Sequence, residues 1–171
     1  SLSVRGDTVA VGARRDSAVG LQTGSAYLFH AETGELLRTI VSPRPGFHAD
    51  FGFSSAMGED DKLVIGAPRE NVPGAPSAGA AYVFSSKTGT LLTILENPTP
   101  QAGDIFGWAV ATSEEWVVVG APQKSVQRDD GTIVPWAGAA YLFHADTCQL
   151  AATIVSPDPQ PGGLFGESLD L

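Results

Sequence analysis

The chain has 171 residues, 43% of them apolar and 17% charged, enough for one folded unit with its own core. Nineteen Asp and Glu against ten Lys and Arg leave a net charge of −9, which repels a nucleic-acid backbone and gains nothing from anionic lipid. No apolar run nears the roughly 18 residues of a membrane span, and the one cysteine, Cys148, excludes an internal disulfide, a CxxC pair and a multi-cysteine zinc site.

Twenty Gly and 12 Pro imply many turns between ordered segments and favour an all-β fold. In chain order, Ser1-Leu2-Ser3-Val4 leads through the turn Arg5-Gly6-Asp7 into an apolar run, Thr8 to Gly12, which predicts a strand covered on both faces. Ser25 to Phe29 and Leu36 to Val41 predict two further strands, joined by Glu32-Thr33-Gly34. Pro43 and Pro45 then mark an extended connector that ends at Phe51-Gly52.

The same series follows twice more. Strands are expected over Phe51 to Met57, Leu63 to Gly66, Ala80 to Phe84 and Leu91 to Leu95, then over Phe106 to Thr112, Trp116 to Gly120, Ala139 to Phe143 and Leu150 to Val155. The Gly-Ala step recurs at Gly12, Gly66 and Gly120, and Phe-Gly at Phe51, Phe106 and Phe165. Cys148 stands where the earlier copies have Gly34 and Gly89, so a left-handed backbone is expected there. Pro98 with Pro100, and Pro157 with Pro159, repeat the connector, long enough at about 3.1 Å per residue to cross a four-stranded sheet. Four antiparallel strands with a long return crossing describe a β-propeller blade, and no stretch carries sustained helical periodicity. The expected blades are residues 1–41, 51–95 and 106–155, with 165–171 starting another.

Phe-Gly, then Gly66-Ala67-Pro68 and Gly120-Ala121-Pro122, then Ala-Tyr-x-Phe at Ala26, Ala81 and Ala140 resemble the FG-GAP repeat of integrin α-subunit propellers and of many bacterial and archaeal extracellular proteins. In the first copy Arg14 replaces the proline. The resemblance implies a non-catalytic propeller, extracellular or at the cell surface, that binds a protein or carbohydrate partner or assembles with copies of itself. It also implies a binding face made by the loops from second to third strand and by the blade-to-blade connectors. On those segments the candidate contact residues are Arg14, Arg15, Phe47, His48, Arg69, Asp129, Asp130 and Trp136.

Many such repeats hold calcium in an Asp-x-Asp-x-Asp-Gly loop. None is present, and Gly6-Asp7, Glu59-Asp60-Asp61 and Glu114-Glu115 are too short to supply six to eight oxygens, so no metal or other cofactor is expected. Arg5-Gly6-Asp7 spells the tripeptide that integrins recognise, but the same place in every copy is a turn and Gly-Asp is good turn chemistry. His30 and His144 read as turn residues, and no nucleophile elbow or metalloprotease motif occurs. Three blades are fewer than a ring needs. A window of a longer repeat array is the expectation, with a two-chain, six-bladed ring as the alternative; a structural repeat of an extracellular filament or sheath is the alternative function, and the scaffold of an enzyme whose site lies outside these residues is the third.

Overall fold

The structure is a computed structural model that describes residues 1–18 and 20–171; Val19, in the Arg14–Thr23 loop, lies outside the described residues. Every regular element among them is a strand. β1 (Leu2–Arg5), β2 (Thr8–Ala13), β3 (Ser25–His30) and β4 (Leu36–Val41) form one antiparallel sheet in that order. β5 (Ser54–Met57), β6 (Lys62–Ala67), β7 (Ala80–Ser85) and β8 (Leu91–Glu96) form the second. β9 (Val110–Thr112) and β10 (Trp116–Ala121) begin the third; a small hairpin, β11 (Val126–Gln127) with β12 (Ile133–Val134), interrupts it before β13 (Ala139–His144) and β14 (Leu150–Val155) complete it.

The three sheets are copies in detail. The third and fourth strands slip by one residue at the same place in each, between Leu28 and Phe29, Val83 and Phe84, and Leu142 and Phe143. Such a bulge sharpens the twist a blade needs. Cys148 has φ 56°, as Gly34 and Gly89 have 70° and 76°, so the turn survives the loss of glycine.

Successive sheets stack face to face with their first strands adjacent, β1 beside β5 and β5 beside β9, which makes a fan about a common hub. Side chains alternate along each strand. Leu63, Ile65, Tyr82 and Phe84 of the second blade therefore bury against Ala10, Ala26, Leu28 and Ile40 of the first. Val64, Ala81, Val83 and Leu95 turn the other way and bury against Val117, Val119, Tyr141 and Phe143 of the third. The core thus lies between blades, and Ala26 and Ala81 let the sheets close up as their size predicts.

The first strands of the second and third repeats are shorter than the sequence suggests. Phe51 and Phe106 do not open β5 and β9; they bridge in parallel to Gly24 and Gly79 of the preceding blade, and Gly52 and Gly107 turn the chain at φ 85° and 91°. Phe51 meets Tyr82 and Phe84 edge to face at ring-centroid distances of 5.4 and 6.0 Å, and Phe106 meets Tyr141 and Phe143 at 5.3 and 6.3 Å. The Gly-Ala step has its reason here as well. A Cβ on Gly12, Gly66 or Gly120 would overlap the carbonyl of Gly52, Gly107 or Gly166, the glycine that opens the next repeat. Ser1 and Ser54 fasten this contact by donating hydroxyl hydrogen bonds to the Gly52 and Gly107 carbonyls, at 3.0 and 2.9 Å.

Candidate recognition face

The loops from second to third strand and the connectors between blades are tied together at one end of the molecule. Gly103, Ile105 and Phe106 donate backbone N–H bonds to the carbonyls of Pro76, Ser77 and Ala78. Gly162, Leu164 and Phe165 repeat the pattern on Pro135, Trp136 and Ala137, and Phe51 donates to Thr23. The geometry needs left-handed residues in the facing segments: Gln22, Ser77 and Trp136 on the loops (φ 53–54°), and Asp50, Ile105 and Leu164 on the connectors (φ 50–57°). Trp136 is a bulky residue in a conformation that costs an L-amino acid about 1 kcal/mol.

Polar locks sit beneath this face at a repeated position, four residues after the glycine of Gly-Ala. Asp16 accepts a hydrogen bond from the Tyr27 hydroxyl, which holds its carboxyl below the usual range. Glu70, 3% exposed, accepts one from Tyr82 through Oε2. Burial pushes the Glu70 carboxyl up, against the Tyr82 hydroxyl and Arg44, which pull it down. Lys124 takes the same position in the third blade, and its ammonium reaches back to the connector, where Asp104 Oδ2 lies at 2.9 Å and the Thr99 carbonyl accepts a second bond. Asp104 Oδ2 also accepts from Asn97 and from the Gln101 backbone, so this buried charge pair is well satisfied. Tyr141 has no carboxylate acceptor on its loop, and burial pushes its hydroxyl up to about 12.

The eight residues singled out from the sequence all lie at this end, but in separate places. Phe47 and Arg69 share a cleft at the junction of the first two blades, with His48 edge-on to the Phe47 ring at 4.0 Å. Arg69 faces Asp50 at 3.6 Å. Arg14 lies over the Phe53 ring, 5.1 Å from its centroid, near Arg15. Asp129 and Asp130 line a groove between the third loop and the Ser156–Pro159 connector, held by Arg128 donating to the Pro159 carbonyl. Trp136 stands apart from all three. Sequence reasoning missed Arg44, Glu70 and Asn71, which complete the Phe47 cleft; aligning Asp16, Glu70 and Lys124 as one repeat position was the available signal.

Two properties distinguish this end. Leu21, Phe47, Ile133 and Trp136, which are 70%, 66%, 59% and 61% exposed, stand on its loops and connectors, whereas the exposed leucines nearer the other end, Leu36, Leu37, Leu91, Leu92 and Leu150, lie on the outer strands. The opposite end carries nine acids on hairpin turns, Asp7, Glu32, Glu35, Glu59, Asp60, Asp61, Glu114, Glu115 and Asp146, beside the four bases Arg5, Arg38, Lys62 and Lys87. His30 and His144 lie there too, His30 accepting from the Thr33 backbone and His144 tilted against Trp116. Among the described residues no three His, Cys, Asp or Glu side chains converge as metal ligands.

A sequence profile described as FG-GAP repeat matches residues 1–29, 44–84 and 98–143, one segment for each blade. No curated protein matches the chain significantly.

Proposed function

The chain belongs to the FG-GAP repeat family, and from that premise we propose that it is a non-catalytic recognition module, extracellular or at the cell surface. We take the repeat units as residues 1–41, 51–95 and 106–155, although Phe51 with Gly52 packs onto the first blade and Phe165 with Gly166 packs onto the third in the same way. The connector face engages a protein or carbohydrate partner. One observation carries this reading: four large apolar side chains stand in solvent on that face, which also bears Arg14, Arg15, Arg44 and Arg69, while the turns of the other end are acidic. Aromatic and arginine side chains are the types enriched where proteins bind. No role for calcium enters.

The test is binding of the labelled chain to arrays of glycans and of extracellular proteins. Saturable binding to at least one should fall at least tenfold in the double variant Phe47→Ser, Trp136→Ser and survive Glu59→Ala, Glu114→Ala. The reverse result would reject the face.

A filament or sheath repeat is the second reading, favoured by the outer strands. Leu36, Leu37, Leu91, Leu92 and Leu150 are exposed on β4, β8 and β14, whose outer edges are unpaired. A laterally assembling repeat sediments as polymers at micromolar concentration, whereas a recognition module stays discrete.

A further inference from the structure

The cleft between the first connector and the second loop has features that the other junctions lack. Its volume is about 260 Å3, small for a drug-sized ligand and suited to one ring. Arg44, Phe47, Arg69, Glu70 and Asn71 line it. Glu70 Oε1 is buried there without a hydrogen-bond partner among the described residues; Oε2 has Tyr82, and the nearest cation, Arg44 Nη1, is 3.9 Å from Oε1 and donates to Glu96 instead. A buried carboxylate oxygen left in that state is costly, and its need is a donor.

The rim supplies the complement. Arg44 and Arg69 offer N–H donors. Asn71 uses its carbonyl on the Ser77 N–H at 2.9 Å, which turns its amide NH2 to other partners. Phe47 supplies an exposed ring, and the backbone beneath it is strained: His48 has φ 57° where the other two connectors have Gly103 and Gly162. Backbone of this kind clusters at ligand-binding sites.

We propose that this cleft binds a single sugar ring, whose hydroxyls donate to Glu70 Oε1 and accept from Arg44, Arg69 and Asn71 while its C–H face lies on Phe47. The proposal rests on the recognition reading and names the ligand class for one part of that face. A basic side chain of a protein partner is the competing occupant. It suits the geometry less well, because a cation would use only the unpartnered Glu70 oxygen and leave the Asn71 amide without an acceptor. The third blade makes the contrast: an ammonium, Lys124, does fill its junction, and there Thr99 replaces Arg44.

The experiment is saturation-transfer NMR on the chain with glucose, galactose, mannose and N-acetylglucosamine, and with the amides of N-acetyl-lysine and N-acetyl-arginine as cationic probes. At least one sugar should bind saturably, with about tenfold weaker binding in Phe47→Ala, whose exposed ring leaves the fold intact, and in Glu70→Gln. Binding of no sugar, sugar binding indifferent to Phe47→Ala, or binding of the cationic amides alone would each overturn the proposal. A partner that still binds the connector face through Trp136 would leave the wider recognition reading standing while this one falls.

Discussion

At the scale of single residues, the turn Glu59-Asp60-Asp61 shows how local chemistry and fold can disagree. Asp60 and Asp61 both have positive φ, 51° and 58°, the backbone of a tight hairpin that prefers glycine second. Asp61→Gly should therefore stabilise the chain by about 1 kcal/mol and also relieve repulsion among three adjacent acids, read as a higher urea midpoint. Glu70 gives a prediction of the opposite kind. Burial raises its folded pKa above the unfolded value of about 4.3, so within that window the folded state holds more protons and stability falls as pH rises. Relative to Glu70→Gln, which cannot titrate, the native chain should gain stability as pH drops from 7 to 4.5; a constant difference in urea midpoints would mean the carboxyl titrates normally.

At the scale of elements, the seam between blades rests on a glycine opposed to a glycine. Gly66→Ala places a methyl into the Gly107 carbonyl and the Ser54 hydroxyl, and should cost about 3 kcal/mol. Gly74→Ala, at φ 78° with nothing within 4 Å, should cost only about 1 kcal/mol from the backbone, so thermal unfolding separates packing from conformation. Strands two, three and four of every blade were legible in the sequence because their apolar runs recur with their turns. The first strands were read too long because Phe51-Gly52 and Phe106-Gly107 look continuous with them, and only the bridge to the blade before reveals the break. The hairpin β11–β12 escaped notice because two-residue strands carry no periodicity.

At the scale of the whole molecule, the two ends have different chemistry. Turn acids crowd one; most of the arginines and the exposed Phe47 and Trp136 share the other. Repetition sorted the connections, since a blade sends alternate ones to opposite ends, and the family resemblance singled out the face. The Phe47 cleft was only half legible. Phe47 and Arg69 stood out as loop residues, whereas Glu70 is hidden and its relation to Arg44 spans two blades. The sign of the lock also changes, with an acid on the second loop and Lys124 on the third, so no fixed motif marks it.

The glycine seam has a consequence for how such a chain lengthens. The residues that meet at Gly12 and Gly52 are matched by those at Gly66 and Gly107 and at Gly120 and Gly166. An in-frame duplication of one complete unit by recombination therefore creates a new joint already fitted on both sides, whereas a duplication of half a unit strands a Phe-Gly with no partner. Copy number can drift by whole units while each joint stays intact.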